Sequence, residues 1–152
     1  MALIAFAMCF LLVGDVMAGE KENLKVIERN NNELWNLQKY EIVNEIVAEN
    51  YVRHDVTAGQ DIRGREAYIE NIKTNQALKW VWFMNPMIAT GDYVFARFSG
   101  NGIDSATSKP VNLTGLLIFR LKDGKMVEDW LAYDNLGFLQ QLGYKLVSPS
   151  EK

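Results

Sequence analysis

Near the C-terminus, Glu128, Asp129, Trp130, Tyr133 and Asp134 set carboxylates among aromatic rings, where an ordinary buried strand would alternate Val and Ile. Carboxylates so placed are either rim charges or the working groups of a pocket, where burial lifts a carboxyl pKa toward the pH at which a base works. His54, the only histidine, titrates near neutrality and could take a proton or donate to a substrate oxygen. It could equally be a strand-end His bonded to backbone or solvent. Asp134 falls in phase with Glu128, Trp130 and Ala132 on a strand, so it faces whichever side Trp130 faces. Asp134 also directly precedes a helical stretch, 135–142, where Asp is a favoured N-cap, and a capping carboxylate is a poor base.

Trp80, Trp82, Phe83, Phe95, Phe98 and Trp130 form an aromatic set that is either a ligand box or plain core. Asn112 and Thr114 share a strand face and could offer polar contacts inside a cavity. The same Asn112-Leu113-Thr114 run is a glycosylation sequon, although its mid-strand place argues against modification. Arg120 is expected to form a rim ion pair with Asp129 or Glu128, of little energetic weight. One His and one Cys cannot supply a typical zinc site. Gly-rich phosphate loops and a Ser-His-Asp arrangement are also missing, so no metal or cofactor is expected.

Several elements must position these residues. From Glu20 to Asn50 there is neither Gly nor Pro, and Leu24, Ile27, Leu34, Ile42, Val43, Ile46 and Val47 fall at helical spacing. The Asn run at 30–32 and Asn36 lower propensity, so two helices broken near Asn36 are expected. Tyr51 to His54 reads as a short strand, Thr57 to Arg63 as a loop, and Gly64 to Leu78 as a third helix. Four aromatic and β-branched runs follow: Trp80–Ala89, Tyr93–Asn101, Val111–Leu121 and Lys125–Asp134. Pro86 makes the first of them bent, bulged or an edge strand. Asp123-Gly124 predicts a tight hairpin turn between the last two. Helices first and an antiparallel meander second give an α+β fold.

The first 18 of the 152 residues stand apart from the fold. Met1 to Val13 is an unbroken apolar run, and Val16-Met17-Ala18 offers a signal-peptidase site. The run is shorter than the roughly 20 residues that span a bilayer, so an export signal over residues 1–18 is favoured over a retained anchor. A single domain over residues 19–152 would then be secreted or periplasmic, without stable membrane insertion. Cys9 would leave with the signal, so the mature chain would have no disulfide, thiolate metal site or cysteine nucleophile. Losing Asp15 from 19 acidic residues leaves 18 against 16 basic ones, a net charge near −2. No basic cluster marks a nucleic-acid partner.

The order of motifs resembles the SnoaL-like polyketide cyclases, within the nuclear-transport-factor-2-like superfamily. The resemblance rests on Phe119-Arg120 with Asp123-Gly124-Lys125, on Val127-Glu128 with Trp130, on Asp134 four residues past that Trp, and on Leu139-Gln140-Gln141-Leu142-Gly143. Upstream, Leu34-Trp35-Asn36, Tyr51-Val52-Arg53-His54-Asp55, Gly64-Arg65-Glu66 and Gly91-Asp92 follow in order, covering about Glu22 to Gly143. The resemblance implies N-terminal helices packed in a strongly curved antiparallel sheet, a cone with an internal pocket. It implies cofactor-independent cyclase or isomerase chemistry on a small hydrophobic carbonyl compound, with Asp134 as the base and His54 at the pocket mouth, or Asn112 and Thr114, donating to the oxygen where charge develops. Trp35, Trp82, Phe95, Trp130, Asn112 and Thr114 would bind the substrate, and a homodimer would form through the sheet. The central strand, Val111 to Phe119, carries no His or Gln of the kind characterised cyclases use there. A non-catalytic exported binding protein for a small lipophilic ligand is the alternative.

Overall fold

The computed structural model describes residues 19–76 and 79–148; the expected export signal and the last two residues of the expected third helix, Ala77 and Leu78, lie outside them. Residues 19–29 form helix α1, which widens into a π-helical turn over Asn30–Asn36. The Asn run that lowers helical propensity is thus used for side-chain bonding rather than for a clean break. Chain reversal comes just after it, with Gln38 at φ 56°. A 3-10 turn, Tyr40–Ile42, runs into the single-turn helix α2, Val43–Ile46.

Strands β1 (Val47–Asp55) and β2 (Gln60–Arg63) precede helix α3 (Arg65–Gln76). Then come β3 (Val81–Thr90), β4 (Tyr93–Ile103), β5 (Pro110–Lys122) and β6 (Lys125–Tyr133), and finally helix α4 (Asn135–Gln141). One six-stranded sheet has the order β2-β1-β6-β5-β4-β3. It is curved and unclosed, with the helices at its concave side, an α+β cone. Asp123 and Gly124 both take positive φ, 51° and 72°, as a two-residue hairpin turn requires.

Three expectations need correction. The sheet is mixed, because β1 lies parallel to β6; β1 reaches β6 by way of the whole β2–β5 stretch, which brings it alongside in the same direction. Val47 opens β1 instead of extending the helix. The supposed loop over 57–63 contains β2, which pairs Gln60 to Arg63 against Asp55 to Val52. Pro86 follows a cis peptide in edge strand β3, where pairing with β4 shifts register between Met84 and Met87.

The core lies between the concave sheet and the helices. Ile27, Leu34, Ile46, Tyr68, Phe119, Leu121 and Met126 are essentially sealed from solvent, each burial contributing about 1.5–3 kcal/mol. The end of α1 is stitched to edge strand β3 by one amide. Asn36 Nδ2 donates to the Trp82 carbonyl at 2.7 Å, and Trp82 N–H donates to Asn36 Oδ1 at 2.8 Å. That covers an edge that would otherwise offer free backbone groups. On β4, Gly100 and Gly102 are needed for close approach, since a Cβ there would overlap the rings of Trp82 and Trp80. Among the described residues no helix is long and apolar enough to cross a membrane.

Candidate functional site

A cavity of about 200 Å³ opens inside the cone. Part of its lining is aromatic: Trp35 from the π-helical turn, Trp80 just before β3 and Trp82 within it, Phe98 from β4 and Phe138 from α4. Trp80 and Trp82 stack at 4.9 Å between centroids, and Trp35 meets Trp82 edge-on at 6.0 Å. Leu113 and Leu117 of β5 and Leu131 of β6 continue the apolar lining. The polar part of the lining is Arg53 and Asp55 from β1 and Tyr133 from β6. Asn31 of the π-helical turn, Asn71 and Asn75 of α3 and Asn135 of α4 add to it.

Strand alternation sends Tyr51, Arg53 and Asp55 to the concave face and Val52 and His54 to the convex one. Arg53 is 3% exposed and Asp129 not at all. Arg53 Nε donates to both carboxylate oxygens of Asp129 at 3.1 Å, and Nη2 donates to Oδ2 at 2.7 Å. The guanidinium also lies over the rings of Tyr68 at 4.9 Å and Trp35 at 5.4 Å. Burial works against the Arg53 charge, but Asp129 and the surrounding rings outweigh it and its pKa ends well above the usual value. Among the described residues none accepts from Nη1, the remaining nitrogen of this cavity-lining residue.

Asp55 is half-buried at the end of β1. Its Oδ1 accepts from Ala58 N–H at 2.8 Å, while among the described residues nothing donates to its other carboxylate oxygen. Burial, and then the charge of Asp55, push the Tyr133 phenol pKa up, so Tyr133 stays a neutral O–H donor across the physiological range. A carboxylate with a free oxygen, a neutral phenol and a fixed guanidinium therefore face one largely apolar space.

His54 and Asp134 are not brought together. His54 sits on the convex face, stacked on Trp130 at 5.5 Å. Its Nδ1 lies 2.8 Å from Asp61 Oδ1 and its Nε2 lies 2.9 Å from Glu128 Oε1. Those bonds to Glu128 and then to Asp61 raise the imidazole pKa above its usual value. Arg120 donates to Glu128 Oε2 at 2.8 Å, the rim ion pair expected of it, and Arg63 pairs with Asp61. Asp134 caps α4, accepting from Gly137 N–H at 2.8 Å. It lines a separate depression together with Asn112 and Thr114.

The expectation that Trp130 faces the cavity fails for a local reason. Leu121 pairs Met126 but Arg120 pairs Glu128, so Val127 is an extra residue in β6. One inserted residue reverses every side chain beyond it. Met126 faces the core, Glu128 and Trp130 face out, and Asp129, Leu131 and Tyr133 face in. Phe95 is also convex and 41% exposed. Thr114 Oγ1 donates to the Phe98 carbonyl at 3.0 Å, and the Asn112 backbone is paired by the Gln141 amide. Of the expected binding residues, Trp35 and Trp82 line the cavity. Arg53, Asp55, Asp129 and Tyr133 are the groups that sequence reasoning left unused. Their common signal is in-phase spacing, Arg53 with Asp55 and Asp129 with Tyr133.

Among the described residues no group of three or more His, Cys, Asp or Glu side chains is arranged to hold a metal ion. Among curated proteins none matches this sequence significantly. Solved structures do match. IdmH of Streptomyces antibioticus, a candidate polyketide cyclase, is 27% identical with a TM-score of 0.72, over 80% of this chain and 99% of its own. A candidate SnoaL-like polyketide cyclase of Jannaschia sp. has 17% identity and a TM-score of 0.74, over 84% of this chain and 95% of that one. A ketosteroid-isomerase-like protein of Catenulispora acidiphila, solved with trimethylamine, shares the fold at 16% identity and a TM-score of 0.70, covering 79% and 93%. The SnoaL-like polyketide cyclase profile matches residues 25–142, and the chain belongs to that family.

Proposed function

We propose that this protein is a cofactor-independent cyclase or isomerase acting on a small hydrophobic carbonyl compound, with Asp55 as the base. The observation that carries this reading is the Asp55 carboxylate, which lines the aromatic cavity with Tyr133 and, among the described residues, has one oxygen that accepts no hydrogen bond. Asp55 removes a proton from the carbon α to a carbonyl, leaving an enolate. The enolate carbon then attacks a second carbonyl of the same molecule, or is reprotonated at another carbon. In the first case the new alkoxide takes the proton back from Asp55, with the neutral Tyr133 O–H donating to that oxygen as charge settles on it. A well-placed donor of that kind is typically worth about 3–4 kcal/mol.

Proton abstraction can be read without the natural substrate. The wild type should accelerate deuterium uptake from D2O at the α-carbons of 2-tetralone, followed by NMR. Asp55→Asn keeps an acceptor for Ala58 N–H and should fold normally, yet lose about 10² or more of that rate, as removal of an acid–base group implies. Asp134→Asn should keep it, because Asn caps a helix as well as Asp. Binding without any accelerated exchange would instead support the non-catalytic carrier.

The convex face supports a homodimer through the sheet. Ile88, Phe95, Ile118 and Trp130 form one cross-strand row over β3, β4, β5 and β6. Ile88 and the nearby Leu116 are 63% and 62% exposed, an apolar patch that a second copy would bury.

A further inference from the structure

We propose that Arg53 is a catalytic residue as well as a structural one, its Nη1 holding the carbonyl oxygen of the unit that Asp55 deprotonates. This rests on reading Asp55 as the base. Arg53 and Asp55 are two residues apart on one face of β1 and both line the cavity. Their Cα atoms are about 6.6 Å apart along the strand, so the two side chains leave the same face side by side. The guanidinium has spent Nε and Nη2 on Asp129, and among the described residues none accepts from Nη1, on a side chain 4% exposed. The rings of Tyr68 and Trp35 fix its plane, so the donor is in place before substrate arrives.

The same charges define the ligand class. The cation on Arg53 is already matched by Asp129, and Asp55 adds a negative charge to the wall. No net positive field remains for a free acid. The cavity takes a neutral ketone, ester or lactone, and a cavity of about 200 Å³ fits one or two fused rings, given that an engineered void of about 150 Å³ accommodates benzene. When Asp55 takes the proton, the electron pair of the C–H bond becomes the enolate π-bond and charge moves onto the oxygen at Nη1. That interaction strengthens as the transition state is approached. Asp129 is a positioning residue, acting only through Arg53.

The infrared carbonyl stretch of 2-tetralone bound to the wild-type protein tests the contact directly. It should lie below the stretch of the same ketone in hexane, and Asp55→Asn and Tyr133→Phe should leave the lowered frequency in place. A hexane-like frequency, or one that returns to it in Tyr133→Phe, overturns the assignment to Arg53. In parallel, Arg53→Met with Asp129→Leu replaces the pair by apolar volume. This double variant should bind tetralin as the wild type does but lose a preference of about tenfold for 2-tetralone, one charged hydrogen bond's worth. A retained preference overturns the proposal while leaving Asp55 as base untouched. Lost exchange in Asp55→Asn with carbonyl preference intact is the expected complement. The wild type should also bind methyl 2-naphthoate and reject 2-naphthoate at pH 7; equal binding of the acid refutes the neutral-ligand claim.

Discussion

Replacing Asp129 by Leu should be among the most damaging single changes in this protein. The carboxylate is wholly buried and takes three hydrogen bonds from Arg53, which is itself 3% exposed. Without it the guanidinium stays in the interior with only the Tyr68 and Trp35 rings to offset its charge. Breaking one side of a buried pair typically costs about 3–5 kcal/mol, and ring contacts of this kind return about 0.5–2 kcal/mol. A net loss of about 3 kcal/mol is therefore expected in urea unfolding followed by tryptophan fluorescence, with an unchanged m-value. At this chain length that corresponds to a Tm lower by about 10 °C. The double variant Arg53→Met with Asp129→Leu removes both desolvated charges and should return to within about 1 kcal/mol of wild type. If Asp129→Leu costs less than about 1 kcal/mol, the pair is not desolvated as described and the reasoning fails. It fails equally if the double variant is no more stable than the single one.

Two further outcomes follow from the convex face. His54 has its pKa raised by Glu128 and Asp61, so its contribution is full below its unfolded value and is lost as pH rises through the folded one. Glu128 and Asp61 are lowered by the same contacts, so their share is present above their unfolded values and lost on acidification. The strip Arg120–Glu128–His54–Asp61–Arg63 should therefore stabilise most between about pH 5 and 6.5. The Tm difference between wild type and His54→Gln should shrink by pH 9; a difference flat from pH 5 to 9 contradicts a charged His54. For assembly, Ile88→Glu with Leu116→Glu places charge in the exposed patch and should give a monomer by sedimentation equilibrium where the wild type is a dimer. A wild type that sediments as a monomer at micromolar concentration removes the sheet-face dimer.

Much of the fold was legible because it rests on local signals. Asp123 and Gly124 marked the turn, Pro86 marked an irregular edge strand, and the absence of Gly and Pro from Glu20 onward marked the helical layer, which ends at Ile46 where β1 begins. Order of elements and family resemblance then carried the cone. Strand β2 and the parallel pairing of β1 with β6 were not legible, since both depend on partners distant in the chain. The π-helical turn was visible only as weak helical propensity. Its Asn side chains find specific partners once Tyr68 and Trp82 arrive: Tyr68 O–H donates to Asn30 Oδ1 at 2.9 Å, and Asn31 Nδ2 donates to the Trp82 carbonyl at 3.2 Å.

Where the candidate residues fall turns on parity rather than chemistry. The residue types pointed to carboxylates beside aromatic rings, and Asp55 does line a cavity with Trp35, Trp80 and Trp82; which residues join it depends on the face each strand turns inward. In β1 the adjacent residues His54 and Asp55 must point opposite ways, and a lone histidine attracts more attention than a carboxylate beside it. Tyr51 and Arg53 lie in phase with Asp55, but an arginine argues against a buried face until its partner is known. That partner, Asp129, points inward only because Val127 is an extra residue in β6. Remove that bulge and Glu128, Trp130 and Ala132 would line the cavity while Asp129 and Tyr133 faced out. The Arg53 ion pair and the bulge therefore explain one another. The buried guanidinium requires a carboxylate on the concave face of β6, and the inserted residue turns one there without changing the apolar phase of the hairpin at Leu121 and Met126.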